Sequence, residues 1–142
     1  MRPDDIDDWP TGRLLSTAAR LVEQSWESVL RAHDLTHAGL FVLHAVEHAP
    51  ASQREIARTA RVTDQTMSRT IEKLERAGYV TREPYPGDER RKLVTVTDTG
   101  RTTYRKLIEL EREDATLTAA VGDVAALRSQ LLALVRALHT VP

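Results

Sequence analysis

The sequence has no cysteine and few aromatic side chains, which make up 4% of its 142 residues. Without cysteine, the chain has no disulfides, thiolate metal ligands or thiol redox sensors. It also has no run of about 20 apolar residues, the length needed to cross a bilayer. Its first eight residues are rich in aspartate and contain no apolar stretch. We therefore expect no signal peptide, no membrane contact and a cytoplasmic location.

Length and composition predict one globular domain over residues 1–142, because a domain usually has about 100–200 residues. Hydrophobic residues make up 41% of the chain and charged residues 29%, which are ordinary values for a folded protein. A chain of this size leaves no room for a large catalytic domain beside a binding module. We predict that it is not an enzyme and uses no cofactor.

The formal net charge is −1, which argues against a nucleic-acid-binding protein, but the charges are unevenly distributed. Residues 1–50 carry 4 basic and 8 acidic side chains, residues 51–107 carry 13 and 8, and residues 108–142 carry 3 and 5. The three net charges are therefore −4, +5 and −2. A basic middle segment between acidic ends indicates that this segment faces a polyanion.

Hydrophobic periodicity predicts long helices at both ends of the chain. One apolar face covers residues 11–33, and another covers residues 123–138. Thr36 is a favourable N-cap for a second helix. That helix is apolar all round, which is typical of a buried helix, and Pro50 ends it.

Two short helices joined by a tight turn are predicted next. Ser52 and Glu55 form a capping-box pattern at the start of the third helix. Thr63 is the predicted N-cap of a fourth helix, which ends before Gly78. The fourth helix has one apolar and one polar face, so it can pack on the body of the protein and still enter a groove of DNA.

The pattern then becomes that of β-strands. Residues 79–82 and 93–97 are predicted to form a hairpin with a long tip that carries the charged stretch 88–92. Thr97 is the predicted N-cap of a fifth helix, which covers residues 98–117. The predicted fold is mostly α with a small β-hairpin.

Two short helices followed by a hairpin with a cationic tip form the plan of a winged helix-turn-helix. In this plan the fourth helix enters the major groove, where glutamine can pair with adenine and arginine with guanine. The hairpin tip reaches the adjacent minor groove, and the starts of the helices offer N–H groups to phosphates. The predicted DNA contacts are Ser52, Gln53, Thr63, Gln65, Thr66, Ser68, Arg69, Lys73, Arg90, Arg91 and Lys92.

Three stretches of the sequence resemble transcriptional regulators of the MarR family. They are residues 52–57, 68–80 and 88–100. The last stretch matches the wing signature of that family, D-x-R followed by a strand and T-x-x-G. The long helices predicted at both ends also belong to the plan of the family, so the resemblance covers essentially the whole chain.

The resemblance implies a homodimeric regulator, expected to be a repressor, that binds a pseudo-palindromic operator in double-stranded DNA. The winged helix-turn-helix would occupy residues 36–100, and residues 10–34 and 101–142 would form the helical dimerisation region. The two fourth helices would lie about 34–36 Å apart, one turn of DNA. Arg90 would enter the minor groove, and Asp88 would hold it by a salt bridge.

Some charged residues of this region have alternative interpretations. Glu72 and Glu75 lie on the fourth helix, where acidic groups are unfavourable for DNA binding, and we expect them to pair with Arg76 and stabilise the helix. The basic run 90–92 is also typical of a strand edge protected from aggregation. A winged helix that binds protein instead of DNA is a further alternative, which exposed large apolar residues on the fourth helix would favour.

Residues 44–48 spell H-x-x-E-H, the inverted zinc-peptidase motif, but the sequence offers no convincing third ligand. A metal-sensing regulator that uses the His44/His48 pair, with His33 or His37, is an alternative hypothesis. The family resemblance implies instead a cleft for a small aromatic or anionic effector, with ordinary core packing as the alternative. The candidate residues of this effector cleft are Trp26, Phe41, His44 and His48.

Overall fold

The computed structural model describes residues 5–139. The described residues leave out both ends of the predicted domain. These ends are residues 1–4, which include part of the acidic segment, and residues 140–142. The elements in chain order are α1 (Thr11–Ala32), α2 (His37–Val46), β1 (Ala51–Ser52), α3 (Gln53–Ala60), α4 (Asp64–Arg76), β2 (Val80–Tyr85), β3 (Asp88–Val96), α5 (Asp98–Glu113), α6 (Thr116–Ala120) and α7 (Val124–His139).

The chain divides into two compact units between Arg105 and Lys106, so the boundary lies within α5. In the first unit, α3 and α4 pack on each other, and both also contact α2. Apolar side chains from these helices and from the sheet form the core. The most deeply buried of them are Val42, Leu43, Val46, Ile56, Ile71, Leu74 and Val94.

The predicted helix starts in this unit are confirmed. The hydroxyl oxygens of Thr36, Ser52 and Thr63 each accept a hydrogen bond from the backbone N–H three residues ahead, at 3.1 Å. Each bond satisfies an N–H group that the helix itself leaves without a partner. Thr97 does the same for α5 through the Gly100 N–H at 3.0 Å. Local hydrogen bonding therefore determines where these helices begin.

The predicted hairpin is present, but two of its details were wrong. The long tip is a two-residue turn at Pro86–Gly87, where Gly87 has a positive φ of 82°. Residues 88–92 belong to β3, because Asp88 already pairs with Tyr85 across the turn. Strand β2 continues through Pro84, which lacks an N–H group; proline is tolerated there because β2 is an edge strand.

A third strand was not predicted. The two residues of β1 pair antiparallel with β3 in the register Ala51↔Val94 and Ser52↔Leu93, so the strand order is β1-β3-β2. Two residues are too few for an alternating pattern to be recognised in a sequence. This short strand attaches the base of the wing to the start of α3.

The helical boundaries differ from the prediction at three places. Helix α2 ends at Val46, four residues before Pro50. Helix α5 ends at Glu113, because the Asp114 carboxylate accepts hydrogen bonds from the N–H and hydroxyl of Thr116 at 3.0 and 2.6 Å. Such bonds compete with a continuing helix. The short helix α6 then occupies residues that the prediction assigned partly to the fifth helix.

Among residues 5–139, no single helix is long and apolar enough to span a membrane. Residues 98–120 and 124–139 meet the length and composition criteria only as a bent pair.

Candidate nucleic-acid interface

Helix α4 is the element from which we predict contacts with DNA bases. Its apolar side chains Met67, Ile71 and Leu74 are at most 2% exposed, and their burial determines which face of the helix is turned outward. The opposite face is solvent-exposed. It carries the predicted contact residues Gln65, Thr66, Arg69 and Lys73.

Two predicted phosphate contacts lie at helix starts and have different environments. Thr63 is exposed, and its hydroxyl oxygen caps α4. Ser52 is 1% exposed, and its hydroxyl oxygen accepts the Glu55 N–H. The carboxylate of Glu55 lies 3.9 Å from Arg91, so only the serine half of the predicted capping box is formed. The structure thus places Thr63 at the surface and Ser52 inside the fold.

The wing presents one cation almost completely to solvent. The side chain of Arg90 is 95% exposed, and its Nε lies 3.7 Å from Asp88 Oδ1. The same carboxylate oxygen accepts the Arg90 N–H at 3.1 Å. The Asp88 carboxylate therefore contacts both the backbone N–H and the side chain of Arg90. Lys92, on the same strand, is also exposed.

The neighbouring cation Arg91 is drawn towards α3 instead. Its side chain is 28% exposed, and its Nη2 donates to Ser52 Oγ at 3.4 Å. The guanidinium carbon lies 4.5 Å from the centre of the Tyr85 ring, a cation–π distance. Of the two adjacent arginines, Arg90 faces solvent, and Arg91 ties the wing to the helix-turn-helix.

Arg82 of β2 is a central residue of the candidate interface, and we did not predict it. Its Nη1 donates to Gln53 Oε1 and to Ser68 Oγ, both at 2.9 Å. Strand β2 thereby joins the start of α3 to the middle of α4. The sequence held one signal for this role of Arg82. Side chains of a β-strand alternate between its two faces, and Arg82 lies on the same face as the buried Val80. A cation on an inward face requires partners.

The prediction that Glu72 and Glu75 pair with Arg76 was wrong. Arg82 Nη2 lies 3.0 Å from Glu75 Oε1 and 3.9 Å from Glu72 Oε1. The Arg82 side chain is only 17% exposed, so its charge is shielded from water and attracts both carboxylates. Arg82 of the wing thus partly neutralises the charges of Glu72 and Glu75.

The helix-turn-helix and the first part of the wing lie within a recognised sequence family. The model of the MarR family matches residues 33–91, which include α2, α3, α4 and β2. This segment of the chain is similar to the MarR family. The match ends within β3, just after Arg90.

Three relatives illustrate the similarity. The HTH-type transcriptional regulator SarZ of Staphylococcus haemolyticus is 30% identical over 88 residues, which are 61% of this chain but only 60% of SarZ. A crystal structure of MarR has a TM-score of 0.83 and 25% identity, and the match covers 93% of this chain and 92% of that one. The M. tuberculosis transcriptional regulator MosR, in a complex with DNA, has a TM-score of 0.68 and 28% identity over 91% of this chain and 96% of its own.

The four candidate residues of the effector cleft have separate environments. Phe41 lines an apolar cavity of about 370 Å³ between α2, α3 and α4. His44 Nδ1 shares a hydrogen bond with the hydroxyl of the buried Tyr104. The His48 side chain is 87% exposed, and Trp26 is half-buried on α1. Among these four, the cavity is lined by Phe41 alone.

The H-x-x-E-H pattern does not form one helical turn, as the motif interpretation required. Helix α2 ends at Val46, so His48 lies beyond it. The Glu47 carboxylate pairs with Arg105 at 3.2 Å. Within residues 5–139, no three histidine, aspartate or glutamate side chains are grouped closely enough to hold a metal ion.

The outward face of α4 is polar along its length. No large apolar side chain of this helix, which is fully described, is exposed. The predicted mark of a protein-binding winged helix is therefore not found on α4.

Proposed function

We propose that this protein is a sequence-specific DNA-binding transcriptional regulator, a repressor, that acts as a homodimer on a pseudo-palindromic operator. The observation that carries the proposal is the combination of an outward polar face on α4, with Arg69 and Lys73, and the nearly fully exposed Arg90 on the wing. A helix of this kind fits the major groove, and an exposed arginine on a hairpin fits the minor groove.

The distribution of charge supports this proposal. The +5 segment 51–107 contains the whole helix-turn-helix and wing, whereas both flanking segments are acidic. Cations on this surface would displace counterions from the phosphates of DNA. The structural match to MosR, which was crystallised with DNA, and the sequence match to SarZ, an HTH-type regulator, support the same activity.

Exposed apolar residues on the terminal helices support a homodimer. On α1, Leu14, Leu15 and Leu21 are 37%, 38% and 55% exposed. On α7, Val135 and Leu138 are 61% and 59% exposed, and the described part of this helix has no buried residue. A second copy of the chain would remove this apolar surface from water.

Selection of bound duplexes from a random DNA pool tests the proposal directly. A homodimer is expected to recover a two-fold symmetric consensus with half-sites about 10 bp apart. Affinity for the recovered duplex should fall steeply between 50 and 200 mM salt, by roughly 10³-fold or more if about six phosphates are contacted. Recovery of no consensus, together with an affinity that does not depend on salt, would contradict the proposal. A reporter gene placed behind the recovered site then distinguishes repression from activation.

We also propose that a small aromatic effector changes the affinity for DNA by binding the cavity beside α4. Phe41 of α2 and Thr66, Met67 and Thr70 of α4 line this cavity, so an occupant would contact the helix that carries the predicted base contacts. Benzoate and larger aromatic carboxylates are suitable probes. Ala38→Leu should fill the cavity and abolish any release of DNA that these probes cause, and release that persists in this variant would exclude the cavity as their site.

A further inference from the structure

The hydrogen bonds of Arg82 determine the chemistry that Gln53 can offer to a ligand. A glutamine amide ordinarily has an acceptor end and a donor end, whereas a guanidinium group can only donate. Because Arg82 Nη1 lies 2.9 Å from the Gln53 amide, the contacting atom must be the carbonyl oxygen Oε1. The amide nitrogen Nε2 then points to the other side of the group.

The donor end of Gln53 is available for a partner outside the protein. Gln53 is the first residue of α3 and is half-buried, at the junction of the wing with the helix-turn-helix. Within residues 5–139, the one side-chain hydrogen bond of Gln53 is the bond from Arg82. Two N–H groups of the amide therefore remain for acceptors from outside.

Arg82 is itself held in place by several contacts. Its second nitrogen Nη2 lies 3.0 Å from the Glu75 carboxylate, and its Nη1 also donates to Ser68 Oγ at 2.9 Å. A planar guanidinium with several partners on two helices has little rotational freedom. The orientation of the Gln53 amide is consequently determined before any ligand arrives.

We propose that Arg82 is a positioning residue that makes Gln53 a dedicated hydrogen-bond donor towards an acceptor on operator DNA. This inference rests on the proposed DNA-binding function. DNA offers acceptors at the phosphate oxygens and at purine N7 and O6. Arg82 already occupies one of the two lone pairs of Gln53 Oε1, so the amide nitrogen is the end of Gln53 that is left wholly to DNA.

Gln53→Glu is the most direct test, because glutamate keeps the acceptor that faces Arg82 and loses the outward donor. We expect the melting temperature to stay equal or rise, since a carboxylate also pairs with Arg82. The Kd for the duplex selected by the wild-type protein should rise at least tenfold. Gln24→Glu, the same change at an exposed position of α1, is the matched control and should change the Kd less than twofold. Wild-type affinity in Gln53→Glu would overturn the proposal.

A double-mutant cycle tests whether Arg82 acts through Gln53. Arg82→Lys retains the charge beside Glu75 but not the planar fork, and it should raise the Kd several-fold, up to roughly tenfold. In the Gln53→Ala background the same substitution should change the Kd less than twofold, because its target is absent. Equal losses in both backgrounds would show that Arg82 does not act through Gln53.

The salt dependence separates positioning from direct contact. Arg82→Lys should leave the slope of log Kd against log salt unchanged, because Arg82 does not itself neutralise a phosphate. Arg69→Gln, which removes an exposed cation of α4, should reduce that slope by about one and is the positive control. A wild-type protein that binds no duplex refutes the proposed function, whereas normal wild-type binding with an additive cycle refutes only the role of Arg82.

Discussion

Gly100, in the first turn of α5, lies directly against the backbone of Tyr79. A Cβ atom built on Gly100 would come within 2.1 Å of the Tyr79 carbonyl oxygen, which also accepts the Thr97 N–H at 3.0 Å. Close packing therefore explains the glycine of the T-x-x-G wing signature, because α5 can approach the base of the wing this closely only at a residue without a side chain.

Gly100→Ala should destabilise the protein by about 1–3 kcal/mol or more, because the backbone of Tyr79 cannot move aside cheaply. Urea unfolding followed by circular dichroism measures the change. Gly12→Ala on α1 is the matched control, since a Cβ atom at that position would have no neighbour within 4 Å. It should be neutral or stabilise by up to about 1 kcal/mol. Equal stability of the two variants would contradict the close contact.

Ser52→Ala should lower the free energy of unfolding by about 1–2 kcal/mol, because it removes the buried cap of α3 and the oxygen that accepts from Arg91. Thr63→Ala removes the exposed cap of α4 and should cost less, about 0.5–1 kcal/mol. Thermal melting of both variants, compared at one protein concentration, measures the difference. A smaller cost for Ser52→Ala than for Thr63→Ala would argue against the structural role of Ser52.

Arg90→Ala should weaken binding to the selected duplex roughly tenfold or more, with unchanged helix content and melting temperature. The guanidinium is 95% exposed, and an ion pair as exposed as the one with Asp88 contributes little to stability. Arg20→Ala, which removes a cation from an exposed position of α1, is the control for overall charge. Wild-type affinity in Arg90→Ala would refute a DNA contact by the wing.

Val135→Asp should convert a homodimer into monomers, because it would place a charge in an apolar contact. Sedimentation velocity measures the change in mass. Ser129→Asp lies on the same helix, about half a turn away from the apolar stripe, and should leave the dimer intact. If Val135→Asp sediments like the wild type, the stripe of α7 is not part of a dimer interface.

Much of the first unit could be predicted from sequence because its signals are local. A cap at Thr36, Ser52 or Thr63 involves an N–H only three residues away. The apolar face of α4 recurs at helical spacing within one segment. By contrast, the two-residue strand β1 forms only because β3 pairs with it. Two residues are too few to show a sequence pattern that predicts this pairing.

The site was harder to predict than the fold, because its polar contacts join distant parts of the chain. Arg82 bonds to Ser68 and Gln53, which are 14 and 29 residues away. Arg91 reaches Ser52, 39 residues away. The two adjacent arginines of the wing look alike in the sequence, and only the twist and pairing of β3 turn one to solvent and the other to α3.

The sequence by itself determined the helix starts, the apolar faces, the strands of the wing and the basic middle segment of +5 within a chain of net charge −1. These features depend on interactions within a few residues or on composition alone. Only the tertiary structure decided which charges are exposed and which are paired, because an arginine or a glutamate finds its partner through the packing of whole elements. That decision separates Arg90, open to solvent, from Arg82 and Arg91, which join the wing to the helix-turn-helix.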